Sequence, residues 1–181
     1  MNTAALAARA PHTRALGILV AVGVLALSAQ FALPMPGTPV PLTLQPLVVV
    51  LAGLLLGPAD AAAAMVLYLV VGAAGLPVFA PIGAPGLARL LGPTGGYLLA
   101  YPVAAAVAGR LGAGRESFAA RTLAAMAGVF VMYAGGLTQL AVLSGSLATA
   151  AVLGVLPFVA ADAVKALVAG AVSRPRRRRA V

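Results

Sequence analysis

Asp162 and Lys165 are the two residues of this chain whose types, spacing and surroundings could do chemistry. The run between Arg121 and Arg174 carries no other charge. The neighbours are apolar enough to lie in a bilayer, where an ionised side chain at the centre of a helix costs about 2.5 kcal/mol or more. Spaced i and i+3, the two groups fall on one face of a helix. They offer a carboxylate acceptor beside an ammonium donor in a dry place. Two readings follow: a site for a ligand that presents its own donor and acceptor together, or an ion pair that pins a helix.

The composition says what kind of molecule holds them. Of 181 residues 62% are hydrophobic and 8% charged, and a soluble domain of this size leaves too much surface exposed to hide that much apolar material. The fold class expected is all-α integral membrane, one compact bundle. With no cysteine there is no disulfide, iron–sulfur or thiolate zinc chemistry, and the single His12 excludes a multi-histidine metal site. Metal ligands are therefore not expected. Three acidic residues leave little for hydrolysis, so the chain reads as a non-enzyme.

Prolines and glycines divide the chain. Residues 1–14 form a polar leader. Residues 15–33 are an uncharged run long enough to cross about 30 Å of hydrocarbon, read as a first transmembrane helix rather than a signal peptide because more membrane sequence follows. Five prolines between Pro34 and Pro46 exclude a continuous helix, leaving an ordered loop or half-extended plug. Helices are expected over 43–56 and 59–74, separated by the turn Gly57-Pro58-Ala59-Asp60, with a re-entrant hairpin as the rival. A Gly/Pro-rich loop covers 75–96. Further helices are expected over 97–113, 122–142 and 157–173. Residues 144–156 read as irregular, Pro157 as a first-turn proline, and 174–181 as a basic tail.

Sidedness follows from charge. With six spans and both termini cytoplasmic, the inner segments hold Arg9, Arg14, Arg110, Arg115, Arg121, Arg174 and Arg176 to Arg179, while the outer loops hold Arg89 alone. The net charge of +9 thus marks a membrane surface rather than a nucleic-acid groove, and no stacking aromatics accompany the arginine run. The three elaborate loops all fall outside. Asp162 lies five residues beyond Pro157, about 7.5 Å along the helix. The expected geometry is a cup that opens outward, lidded by loops, with a charged floor. No internal repeat points to a transporter built of inverted halves.

Several blocks then fall in register: GTPVPLTLQP at 37–46, LAGLLLGP at 51–58, GLPVF at 75–79, GPTGGY at 92–97 and LPFVAADAVKAL at 156–167. In order and spacing they resemble the BioY family, the biotin-specific S components of energy-coupling factor (ECF) transporters, over about residues 14–173. The resemblance implies a six-helix membrane fold that binds biotin from outside. It also implies partners, a transmembrane coupling subunit and two ATP-hydrolysing subunits. No Walker motif is present here, so ATP chemistry would belong to those partners.

The resemblance also gives the charged pair a ligand. The ureido ring of biotin has two N–H donors and one carbonyl; Asp162 can accept from the one and Lys165 donate to the other. Gln45 and Thr43, in the proline-rich loop, could bond the same ring or satisfy loop backbone. Tyr97 could wall the fused rings or anchor at the interface. Arg89 could meet the valerate carboxylate or reach lipid headgroups. Gly17 and Ala21 on helix 1 form a small-residue pair that could dock the coupling subunit or pack internally. Where family members often carry a polar residue after the Pro-Val-Phe block, this chain has Ala80-Pro81-Ile82. Backbone groups, Gln45 or Gln139 would have to compensate. Two alternatives stay open: a self-contained proton- or ion-coupled carrier in which Asp162 titrates, and an S component for another vitamin.

Overall fold

The computed structural model describes residues 11–173; most of the leader, with Arg9, and the basic tail 174–181 lie outside the described residues. The chain order is α1 (Pro11–Gln30), β1 (Ala32–Leu33), β2 (Leu42–Thr43), α2 (Gln45–Leu56), α3 (Pro58–Ala73), α4 (Leu87–Leu91), α5 (Gly95–Gly112), α6 (Phe118–Ser144), α7 (Leu147–Gly154) and α8 (Val159–Val172).

Local chemistry accounts for where these elements stop. The residue before a proline is pushed into extended backbone, so Leu33, preceding Pro34, leaves the helix expected to include it. Ala32 and Leu33 instead pair antiparallel with Thr43 and Leu42, and α1 ends at Gln30. The plug at 34–46 is thus a short ribbon. Gly57 takes φ 88° and Pro58 opens α3, which breaks α2 from α3 as two helices of 12 and 16 residues. These reach about 18 and 24 Å.

The segment expected to be irregular at 144–156 is mostly helical, and this is a correction. The Oγ of Ser146 accepts from the Thr149 amide at 3.2 Å, an N-cap that starts α7. Pro157 stands in the turn before α8 rather than in its first turn, and α7 and α8 meet at a 56° bend. The loop 75–96 likewise contains α4.

Helix α5 is the centre of the bundle, packed on α2, α3 and α6. Its Ala104, Ala105 and Ala108 are fully buried. Close approach depends on glycine at two crossings. A Cβ on Gly53 of α2 would strike the carbonyl of Ala105, and one on Gly135 of α6 would strike that of Gly96. Small residues at such crossings let backbones touch where lipid offers no hydrophobic drive to associate. Gly17 and Ala21 lie on the inward side of α1. Ala21 is in the core, and a Cβ on Gly17 would touch Leu56 at 3.2 Å. The apolar face that α1 leaves outward is formed by Leu16, Leu19, Val20, Val24 and Leu27.

By length and composition α1 and α6 can each cross a membrane, and the bent pair α7–α8 adds a third if it counts as one span; α2 and α3 are shorter apolar helices. Large apolar side chains stay exposed on most helices, among them Leu55, Val70, Val103, Leu123, Phe130 and Val164, as a lipid-facing surface requires.

The two ends of the bundle differ. At one, Arg14 Nη2 meets Asp60 Oδ1 at 2.6 Å, and buried Arg121 donates to the Gly170 carbonyl at 2.9 Å. At the other, side chains tie the elaborate segments together. Gln30 donates to the Phe79 carbonyl at 3.3 Å and Thr38 to that of Leu153 at 2.6 Å.

Candidate ligand-binding site

The elaborate end encloses a cavity whose space, counted with its open mouth, is about 680 Å³. The starts of α2, α5 and α8 converge on it, because prolines, glycines and the 56° bend end or begin each helix at this depth. Asp162, Lys165, Gln45, Thr43, Tyr97 and Arg89 all line it. Six residues chosen from sequence, from four separate segments, come together in one chamber. Val40, Leu42, Phe79, Leu98, Tyr101, Val129, Met132 and Phe158 supply apolar walls.

The charged floor is built as follows. Asp162 falls in the first turn of α8, where the helix dipole favours an anion. Lys165 Nζ donates to its Oδ1 at 2.7 Å, and the hydroxyl of Tyr133, from α6, donates to Oδ2 at 2.7 Å. Both charged residues are buried, at 4% and 8% exposure. A buried pair survives only when its remaining hydrogen-bonding positions are met, and Tyr133 supplies one. Each carboxylate oxygen keeps a lone pair, and Lys165 keeps two N–H donors, for a guest.

On the α2 side, Gln45 is buried and its Nε2 donates to the Tyr68 hydroxyl at 2.8 Å; Tyr68 in turn donates to the Val78 carbonyl at 2.9 Å. The Thr43 hydroxyl donates to Gln45 Oε1 at 3.4 Å and its oxygen accepts from the Gln45 backbone N–H at 3.3 Å. Tyr97 stands with its ring against Gly136, where a Cβ would collide with it, and its hydroxyl donates to the Gly154 carbonyl at 2.6 Å. It is a cavity wall fixed at both ends.

Arg89 does not reach for headgroups. It is 7% exposed, and its guanidinium donates to the carbonyls of Ala80, at 2.6 Å, and Ile82. Loop 80–86 wraps it. Gly83 takes φ 99°, which favours glycine, and a Cβ there would lie 2.8 Å from Nη1 of Arg89. The carbonyls of Ala80 and Ile82 are therefore already engaged. Gln139 is engaged elsewhere too, since its Nε2 donates to the carbonyls of Leu90, at 3.0 Å, and Gly92, at 2.6 Å. Of the two glutamines that could replace the missing polar side chain near residue 80, Gln45 lines the cavity and Gln139 does not.

Tyr133 and Tyr68 escape a reading of the sequence. Each looks like an ordinary core or interfacial aromatic in an apolar helix. The available signal was an accounting one: Asp162 has two oxygens and only one neighbour on its own helix, so a second donor had to arrive from elsewhere.

Comparison with known proteins bears on this geometry. The BioY family model matches residues 2–181. The chain belongs to the BioY family. Among relatives, the probable biotin transporter BioY of Pyrococcus horikoshii is 47% identical over 131 residues, covering 72% of this chain and 76% of that one. The biotin transporter BioY of Thermotoga maritima is 38% identical over 138 residues, covering 76% and 81%. That of Rhodobacter capsulatus is 36% identical over 170 residues, covering 86% and 88%. In fold, the chain is similar to the crystal structure of the S-component for biotin from an ECF-type ABC transporter, with a TM-score of 0.81 at 24% identity over 92% of this chain and 93% of that one. A BioY-family membrane protein with an S-component fold therefore carries the chamber described above.

Proposed function

We propose that this BioY-family protein captures biotin in the chamber at the elaborate end and hands it to an ECF module for import. One observation carries the reading: a cavity with apolar walls has a floor of Asp162, Lys165 and Tyr133 and a second polar group, Gln45, on another wall. A cyclic urea needs acceptors for two N–H groups and a donor for one carbonyl. Asp162 and Gln45 offer the acceptors and Lys165 the donor. Charge-assisted bonds of this kind are roughly twice as strong as neutral ones. Phe79, Leu98, Val129 and Met132 would cover the fused ring and valerate chain, Tyr97 would flank the ring, and Arg89 would meet the carboxylate.

Helices α1, α2, α3, α5, α6 and the bent α7–α8 would make six crossings, with both termini on the cytoplasmic side of the cell membrane. Support comes from Arg14, Arg110, Arg115 and Arg121 at the plain end and Arg89 alone among the elaborate segments. Under that orientation the chamber opens outward beneath the β1–β2 ribbon and loop 75–96. A coupling subunit and two ATP-hydrolysing subunits would supply the energy, while this chain does the recognition.

The test is binding by the purified protein in detergent. Biotin should bind at nanomolar Kd, about −12 kcal/mol, and should co-purify from cells as identified by mass spectrometry. Tighter binding of another vitamin, or uptake that runs on a proton gradient without ATP-hydrolysing partners, would replace the proposal with a different one.

A further inference from the structure

The direction of a short hydrogen-bond chain decides what Gln45 shows to a ligand. The Val78 carbonyl can only accept, so the Tyr68 hydroxyl, 2.9 Å away, gives its single proton there. Tyr68 oxygen is then an acceptor toward Gln45, at 2.8 Å. The amide must turn its NH2 to Tyr68, which leaves Oε1 as the acceptor, where the Thr43 hydroxyl donates to it at 3.4 Å and leaves it one further lone pair; both residues line the cavity. Tyr68 is fully buried and packs edge-on to Phe79 with centroids 5.3 Å apart, so this arrangement has little freedom to rotate.

We propose that Tyr68, which does not line the cavity, is a positioning residue for specificity: it locks the Gln45 amide as an acceptor, so that the chamber holds two acceptors, Gln45 and Asp162, and selects ligands with N–H groups on both sides of a carbonyl. This rests on the biotin reading. A site that reads an N–H rejects an isostere carrying oxygen there, because two acceptors are left facing each other. An amide free to turn would lose that discrimination by offering its NH2 instead.

The experiment compares biotin with its two cyclic carbamate isosteres, in each of which one ureido N–H is replaced by oxygen. Wild type should bind both isosteres at least ~100-fold more weakly than biotin. In Tyr68→Phe, which retains the ring against Phe79, biotin should weaken by about 10-fold, the loss of roughly one hydrogen bond to a polar site. The preference against one isostere should also fall by about 10-fold, while the other, read by Asp162, keeps its full penalty. In a Gln45→Leu background, Tyr68→Phe should change neither preference. An equal weakening of biotin and both isosteres would show that Tyr68 merely holds the loop at Val78, and would overturn the proposal. Failure of wild type to bind biotin at all would overturn the functional reading beneath it, and the two failures are told apart by that first measurement.

Discussion

Tyr133 on α6 and Asp162 on α8 are joined by a 2.7 Å hydrogen bond, so that the carboxylate is held from two helices at once, with Lys165 on its other oxygen. The bond fixes the plane of the carboxylate and therefore the direction in which its free lone pairs face the chamber. Helix α8 contributes the charges, but α6 aims them.

Tyr133→Phe should weaken biotin binding by roughly 1.5–3 kcal/mol, the usual worth of a hydrogen bond to a charged group, with the fold intact because the ring remains. Isothermal titration in detergent reads the loss. Unchanged affinity would mean that the carboxylate needs no help from α6.

Asp162→Asn and Lys165→Ala should each cost about 2–5 kcal/mol in binding, since each strands a buried opposite charge as well as removing a ligand contact. Monodisperse elution from a sizing column should persist for both. Normal binding accompanied by aggregation would assign the pair to structure alone.

For Arg89→Ala, biotin and its methyl ester should both bind more weakly, because the loop carbonyls of Ala80 and Ile82 lose their donor. The acid should lose about 5-fold more than the ester if the guanidinium also meets the carboxylate, about 1 kcal/mol. Added salt should alter the difference little, since screening acts mainly between exposed charges and Arg89 is buried. Equal losses would restrict Arg89 to shaping the loop.

A methyl group added at Gly136 would enter the ring of Tyr97. Gly136→Ala should push that ring into the chamber, break its bond to Gly154 and destabilise the protein by about 1–3 kcal/mol, as overpacking does. Biotin affinity should fall with it. Gly23→Ala, in the interior of α1 where nothing lies within 4 Å, is the matched control: it should not lower the melting temperature, since alanine favours helix over glycine, and should leave binding unchanged. Similar behaviour of the two variants would refute the wall assigned to Tyr97.

What the amino-acid order determined by itself is whatever a local or compositional rule can read. Asp162 and Lys165 were legible because charge inside apolar sequence requires a reason, and i, i+3 spacing makes them neighbours without any tertiary information. The breaks at Pro34 and Gly57-Pro58 were legible because proline and glycine constrain their own backbone. The cap at Ser146 and the Ala- and Leu-rich run 147–154 were equally local signals for α7, although the expectation for 144–156 was an irregular segment. Tertiary structure decided everything that depends on groups far apart in the chain. Tyr133 reaches Asp162 across 29 residues and Tyr68 reaches Gln45 across 23, and no spacing rule connects them. Arg89 turned out to hold carbonyls because loop 80–86 closes around it, and Gly17 and Ala21 turned inward because of how α1 lies on α2 and α3. A hydrogen bond is directional and short, so which atom of Gln45 meets Tyr68 and which meets Thr43 is settled only when those partners are in place.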